Sequence, residues 1–240
     1  MSKLNAIQFA SADELSGPGI DIRFPVWRLA SCAPIAKNAG EDRMYLCGLA
    51  LSCHTDRGMS VMACDGFSLQ IHEGFASGAS ADSSSQWSAP LSKGVYISCK
   101  SPLFAAIKLR KNLKHWFRIH NGRASVTEFN SGGTEFASCP VAQLALGAEY
   151  VKQYAETDHI LKSVREKPGE LSGEVVFGVN PQSFALAAGI PDPHLNRHDR
   201  NKNVVAMQVK NKDNPIVLTR PADVNFMALM MPVRLDKAKK

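Results

Sequence analysis

The sequence predicts an α+β protein made of three units, in each of which a strand leads into a helix and the helix leads into further strands. This order recurs three times along the chain, although the residues themselves do not repeat. Helical and extended stretches are mixed without strict alternation, which favours α+β over a doubly wound parallel sheet. With 45% hydrophobic and 21% charged residues among 240, the chain has the composition of a globular protein that buries a core.

The first unit follows an irregular lead-in over residues 1–19. The stretch DIRFPVWRLASCAPIAK predicts a short strand and then a helix, with Pro25 at the first helical position. Pro34 is expected to kink or end that helix. Short runs of apolar residues, separated by turn signals such as Asp65-Gly66, then predict three strands, at 44–52, 59–64 and 67–72. Residues 74–90 are rich in Gly, Ser and Ala and predict a loop.

The second unit repeats the order with clearer local signals. A strand is predicted over 94–100, and Ser101-Pro102 then predicts an N-cap and first position for a helix running to Lys114. The stretch HWFRIHNGRASVTEF predicts a hairpin around Asn121-Gly122, a favoured pair for a two-residue turn. A further strand is predicted over 134–146, so this unit would end near residue 147.

The third unit lies beyond a charged helical connector, then loop, over residues 148–173. Asn180-Pro181 predicts the start of a helix over 182–188, ended by Gly189. The strands predicted around this helix and a polar loop are at 174–179, 204–210, 215–219 and 225–233. The unit would close near residue 235, and a disordered tail is expected over 236–240.

Positive charge is unevenly distributed. The net charge is +6, but the stretch Ser83–Thr127 contains no Asp or Glu. Its basic residues are Lys93, Lys100, Lys108, Arg110, Lys111, Lys114, Arg118 and Arg123. Such a single-sign window attracts phosphate backbones, and the alternative is a solvated basic face without a partner.

The sequence contains no features typical of membrane proteins, secreted proteins or several classes of enzyme. No apolar run is long enough for a membrane-spanning helix and no secretory signal is recognised, so an intracellular protein is expected. The six cysteines include no C-x-x-C pair, which favours buried free thiols over a zinc or redox site. No phosphate-binding loop, dinucleotide fingerprint, metalloprotease motif or serine-hydrolase elbow is present. His194 and His198 have metal-ligand spacing, but nearby prolines favour a loop. We therefore predict a non-enzymatic protein without a cofactor.

Two segments carry a family resemblance. RMYLCGLALSCHTDRGMSVMACDGFSLQI resembles the R-x-Y-L-x-G … V-A-T-D-G-H-R-L stretch in the middle domain of bacterial DNA polymerase III beta subunits, the DNA sliding clamps. NPIVLTRPADVNFMALMMPVRL resembles their C-terminal end, which closes with M-P-M-R-L. The order and spacing of the intervening elements also fit over roughly residues 20–147 and 174–235.

The resemblance implies a DNA-clamp fold of repeated strand–helix–strands halves, with helices on one face of antiparallel sheets. It implies a homo-oligomeric ring that encircles duplex DNA without reading its sequence, in the cytoplasm at the nucleoid. Partners would be a DNA polymerase and a clamp loader, held by short peptide motifs. The positions that would contact DNA are Arg28, Lys100, Lys108, Arg110, Lys111 and Lys114; Arg110 and Lys114 would share a helical face.

The family docks its peptides in an apolar pocket. The matching positions here are Cys64, Gly66, Phe67, Ser68 and Leu69, with Met231, Pro232, Val233, Arg234 and Leu235. Four of them depart from the family: Cys64 replaces a threonine, Phe67 a histidine, Ser68 an arginine and Val233 a methionine. The pocket is therefore expected to be more apolar, with a different peptide preference.

Length is the largest departure, because the bacterial clamp has three domains of two halves each and this chain carries one whole domain and one further half. An alternative therefore stays open: a clamp-derived protein that does not encircle DNA and instead binds clamp partners or the host clamp.

Overall fold

The computed structural model describes residues 8–39, 47–54, 58–65, 67–75, 86–87, 93–110, 114–128, 134–144, 180–188, 205–209, 215–220 and 223–232. The helices are α1 (Ala12–Leu15), α2 (Val26–Asn38), α3 (Pro102–Leu109) and α4 (Pro181–Ala188), with a 3₁₀ turn at Val141–Gln143. The first six strands are β1 (Asp21–Pro25), β2 (Gly48–His54), β3 (Gly58–Cys64), β4 (Ser68–Phe75), β5 (Gln86–Trp87) and β6 (Val95–Ser98). The other six are β7 (His115–His120), β8 (Arg123–Glu128), β9 (Glu135–Pro140), β10 (Ala206–Gln208), β11 (Ile216–Arg220) and β12 (Asp223–Met230).

These strands form two antiparallel sheets. One has five strands in the order β5-β1-β7-β8-β9, and the other has seven in the order β10-β11-β12-β4-β3-β2-β6. The second sheet joins the first predicted unit to the third, because β12 pairs with β4. The α+β class expected from the sequence, with helices and antiparallel sheets, is confirmed.

The central helix is α2. It packs against β2, β3 and β4 on one side and against α3 and β7 on others. From Val26 to Ala36 every residue except Pro34 is buried, so the helix is apolar almost all round. Pro34 was expected to kink or end the helix. It does not end it, because α2 continues to Asn38. Burial of the turns on either side of Pro34 stabilises a helix that one missing hydrogen bond would otherwise weaken.

Local signals predicted several turns and caps well. Asn121 and Gly122 both have positive φ, 49° and 71°, as a two-residue hairpin turn between β7 and β8 requires. The Ser101 hydroxyl accepts a hydrogen bond from the Leu103 amide at the start of α3. The Asn180 side chain accepts bonds from the amides of Gln182 and Ser183 at the start of α4.

Four expectations need correction. Pro25 ends β1 and is the N-cap of α2 rather than its first residue. The helix predicted to reach Lys114 ends at Leu109, with Arg110 as its C-cap. Within the predicted 74–90 loop, Gln86–Trp87 pairs with β1. The lead-in contains α1, which a capping box between Ser11 and Glu14 stabilises.

The strand predicted at 174–179, the connector, the polar loop and the tail lie outside the described residues. Among the helices that the structure describes, none is long and apolar enough to cross a membrane.

Candidate functional site

The two segments singled out in the sequence lie side by side in the seven-stranded sheet. In the antiparallel pair β4–β12, Leu69 is opposite Leu229 and Ser68 is opposite Met230. The Met231 amide donates a hydrogen bond to the Phe67 carbonyl at 3.0 Å, so the pairing extends one residue beyond β12. The turn after β3 and the end of β12 therefore meet, although 162 positions separate Leu69 from Met231.

A row of apolar side chains crosses four neighbouring strands at this place. Cys64 is opposite Leu69, Leu69 is opposite Leu229, and Leu229 is opposite Val217. Residues directly opposite in antiparallel strands project from the same face of a sheet. Leu69 and Leu229 are buried, and they belong to a cluster against which the half-buried Cys64 and Val217 pack.

Two large apolar side chains are exposed beside the middle of this row, each two positions along the chain from Leu69 or Leu229. Phe67 is 58% exposed and Met231 is 45% exposed. Their backbones are joined by the hydrogen bond from Met231, so the two residues are neighbours. Aromatic and thioether side chains are common anchors at surfaces that bind peptides. Pro232 is half-buried beside them.

The Asp65 carboxylate organises the turn that carries Phe67. One oxygen, Oδ1, accepts hydrogen bonds from the amides of Phe67 at 2.9 Å and Ser68 at 2.7 Å. The other, Oδ2, accepts from the Asn38 side-chain amide at 2.7 Å. Asp65 is buried, and the bonds satisfy its charge. The sequence indicated the turn through Asp65-Gly66 but gave no sign of Asn38 as its partner.

The other residues predicted for the pocket divide into two groups. Ser68 is buried and opposite Met230, which packs with α4, so its side chain lies on the face away from Leu69. Its assignment to the pocket is corrected, because successive strand residues point to opposite faces. Gly66, Val233, Arg234 and Leu235 lie outside the described residues.

A buried polar cluster fills the opposite face of β4 and β12. The Arg28 guanidinium of α2 lies 3.8 Å from the Asp223 carboxylate and 3.4 Å from Nδ1 of His72. The Gln70 amide nitrogen donates to Ser31 at 2.6 Å and lies 3.0 Å from Nε2 of His72. Burial, Arg28 and Arg220 hold the pKa of His72 well below its usual value, so its ring is neutral at pH 7.

Arg28 is therefore not a DNA-contacting residue. It is 4% exposed and its guanidinium also stacks on Trp27 at 4.3 Å. The family resemblance implied a DNA contact at Arg28, and the sequence contained no sign of the cluster because its partners His72 and Asp223 are distant in the chain.

The acid-free window is partly neutralised by acids from elsewhere. Arg118 donates two hydrogen bonds to Asp21, at 2.8 and 3.0 Å, and Lys93 pairs with Glu14 at 2.7 Å. Burial acts to raise the pKa of Asp21, but Arg118 and Arg23 outweigh it and hold that pKa below its usual value.

The remaining candidate cations differ in exposure. Lys100, Lys108 and Lys114 are exposed, and the Arg110 guanidinium lies 3.9 Å from the centre of the Phe136 ring. Arg110 and Lys114 do not share a helical face, since α3 ends at Leu109. Lys111 lies outside the described residues.

The described part of the chain contains no group of side chains suited to a metal or redox centre. No group of three or more His, Cys, Asp or Glu side chains there could hold a metal ion. All six cysteines are free; Cys32 and Cys139 are buried, whereas Cys53 is exposed, contrary to the expectation of buried thiols. His194 and His198 lie outside the described ranges.

No model of a known protein family and no curated protein matches the sequence. Solved structures do match. The Helicobacter pylori beta clamp bound to a DNA ligase peptide is 12% identical with a TM-score of 0.51, over 91% of this chain and 67% of the clamp. A Pseudomonas aeruginosa DNA polymerase sliding clamp is 14% identical with a TM-score of 0.50, over 91% of this chain and 67% of the clamp.

These similarities show that the chain has the sliding-clamp fold. It also matches the Borrelia burgdorferi DNA polymerase III beta subunit at 13% identity and a TM-score of 0.47, over 90% of this chain but 63% of that subunit. The chain thus spans about two thirds of the length of the clamps it matches, between 63% and 69% for three of them.

Proposed function

We propose that this chain is a DNA sliding clamp, a non-enzymatic processivity factor that encircles duplex DNA and holds a polymerase and a clamp loader by peptide motifs. One observation carries the proposal. The apolar row through Leu69 and Leu229, with exposed Phe67 and Met231 beside it, lies where two segments resembling the clamp family's pocket motifs meet.

The pocket chemistry supports docking of a linear peptide with apolar anchors. Leu69, Leu229 and Val217 supply an apolar floor, and Phe67 and Met231 present side chains that can close over an anchor. Small apolar pockets of this kind can supply most of the affinity of a short motif. The Helicobacter clamp with the same fold holds a peptide of DNA ligase, which makes such a peptide a suitable probe.

Self-association is the first expected result. The resemblance to the clamp family implies a homo-oligomeric ring, and the chain has the fold of two solved clamps. We expect an oligomer with closed cyclic symmetry, whose mass is a whole multiple of 26.1 kDa. Light scattering at micromolar concentration measures that mass. A monomer with and without DNA would contradict the ring and favour the alternative described next.

The alternative is a clamp-derived protein that binds clamp partners without encircling DNA. Its support is the neutralisation of Lys93 and Arg118 by Glu14 and Asp21, which leaves the window less positive than its sequence indicates. In that case peptide binding would persist in a monomer that lacks salt-dependent DNA affinity.

Duplex binding through exposed lysines is the second expected result. Replacing Lys100, Lys108 and Lys114 together with Ala should lower affinity equally for duplexes of different sequence. Each lost phosphate contact should reduce the slope of log affinity against log salt by about 1. Fluorescence anisotropy over a salt series measures both quantities.

Lys93→Ala is the matched control for this experiment. Lys93 belongs to the same acid-free window, but Glu14 already engages its ammonium at 2.7 Å. We expect its removal to leave the salt slope unchanged. An equal slope for the triple variant and the unmodified chain would rule out these lysines as the DNA contacts.

A further inference from the structure

Asn38 is the last residue of α2 and the link between that helix and the turn beside the apolar row. Its side-chain nitrogen donates to Oδ2 of Asp65 at 2.7 Å. The helix behind it is buried from Val26 to Ala36 except at Pro34, and it contacts β2, β3 and β4. Asn38 therefore extends from an element whose position is set by the core.

The Asp65 carboxylate divides its two oxygens between the helix and the turn. Oδ1 receives the amides of Phe67 and Ser68, and Oδ2 receives Asn38. The Asp65 amide also donates to the Ser68 carbonyl at 3.1 Å, which closes the turn. Hydrogen bonds to a buried carboxylate are stronger than neutral ones, so the orientation of this group is well determined.

Phe67 is held by its backbone at both ends while its side chain remains largely exposed. Its amide donates to Asp65 and its carbonyl accepts from Met231. The ring, 58% exposed, therefore has a location set by two backbone bonds, one of which depends on Asp65. A shift of the carboxylate moves the Phe67 amide and, with it, the ring.

We propose that Asn38 is a positioning residue for peptide docking, which holds Asp65, and through it Phe67, in the conformation that a docked peptide meets. This inference rests on the proposed function. Asn38 touches no peptide itself; it acts through Asp65. Because Asn38 is exposed, its loss affects the turn more than the fold.

The experiment measures affinity for the DNA ligase peptide that the Helicobacter clamp holds, by fluorescence anisotropy with a labelled synthetic peptide. Asn38→Ala is expected to weaken binding on the order of five- to tenfold, less than the full effect of a lost hydrogen bond to a charged group because Asn38 acts only through Asp65. Lys37→Ala is the matched control, since Lys37 is the exposed neighbour on the same helix end and should leave affinity unchanged.

A donor–acceptor exchange separates positioning from a general effect on stability. Asp65→Asn places two side-chain amides face to face where Oδ2 now accepts from Asn38. Asn38→Asp places two carboxylates face to face there, so each single change should weaken peptide binding. The double change Asn38→Asp with Asp65→Asn restores one donor opposite one acceptor and keeps Oδ1 for the turn amides. It is expected to recover affinity to within about twofold of the unmodified chain.

The outcomes are distinguishable. No binding of the DNA ligase peptide by the unmodified chain overturns docking of that peptide and this inference together. If Asn38→Ala leaves peptide affinity unchanged, the inference alone is overturned. The same holds if the double variant has the melting temperature of the unmodified chain but binds the peptide as weakly as the single variants. Hydrogen exchange gives a further readout, because Asn38→Ala should speed exchange at the amides of Phe67 and Ser68.

Discussion

Phe67→Ala and Met231→Ala are each expected to weaken binding of the DNA ligase peptide by about thirtyfold, the effect of losing a binding hot spot of about 2 kcal/mol. Both side chains are exposed, and a backbone hydrogen bond joins the two residues beside the apolar row. Titration with labelled peptide measures the change. Since neither side chain is buried, the free energy of unfolding should change by no more than about 0.5 kcal/mol.

Leu109→Ala is the control for this pair. Leu109 is 76% exposed at the end of α3, so it matches Phe67 and Met231 in apolar character and accessibility but lies outside the row. Its removal should leave peptide affinity unchanged. If Phe67→Ala and Met231→Ala behave like Leu109→Ala, the docking surface is elsewhere.

Leu69→Ala is a less selective probe of the same surface. Leu69 is only 5% exposed and belongs to the buried cluster with Leu229. Shortening it should lower the free energy of unfolding by about 2–5 kcal/mol, so an effect on binding would mix with an effect on folding.

Arg28→Ala is expected to lower the free energy of unfolding by about 3–5 kcal/mol, because it removes the guanidinium that lies 3.8 Å from the buried carboxylate of Asp223. The change also removes one of the charges beside His72 and the stacking on Trp27. Urea denaturation followed by circular dichroism measures the loss.

Arg23→Ala is the matched control, since Arg23 pairs with Asp21 at 3.1 Å but its side chain is 38% exposed. A solvent-exposed ion pair contributes about 0–1 kcal/mol, so this variant should be nearly as stable as the unmodified chain. A loss below about 1 kcal/mol for Arg28→Ala would show that Asp223 does not depend on this partner.

The buried cluster also affects the proposed docking surface, because both lie on the same two strands. Gln70, His72 and Phe226 lie on the helix side of β4 and β12, whereas Leu69 and Leu229 lie on the other side. The contacts of Arg28 with His72 and Asp223 join α2 to both strands. The cluster therefore supports the register that places Phe67 beside Met231.

Elements with strong local signals were predictable from the sequence. The Asn121-Gly122 turn has the positive φ values that its residues favour, and Ser101 and Asn180 cap the helices that follow them. These features depend on backbone sterics and on groups within three residues of one another. The strands on either side of Asp65-Gly66 were predicted for the same reason, from a turn signal between two apolar runs.

The meeting of the two pocket segments came from the family resemblance rather than from any local pattern. Periodicity indicates that β4 and β12 are strands but not that they pair. The alternation of side chains within β4 separates Ser68 from Leu69, and this became visible only when the face that packs on α2 was known.

The tertiary structure alone decided the roles of the charged residues. From the sequence, Arg28 was expected to contact DNA and Arg118 belonged to a basic window. In the fold, Asp223 lies near Arg28 and Asp21 binds Arg118, each more than 90 positions away. Asn38 and Asp65 likewise meet across 27 positions through the end of α2. Local sequence determines caps, turns and strand propensity because the interacting groups are covalently close. Burial and ion pairing depend on which distant segments share a face, and that is determined by the packing of the whole chain.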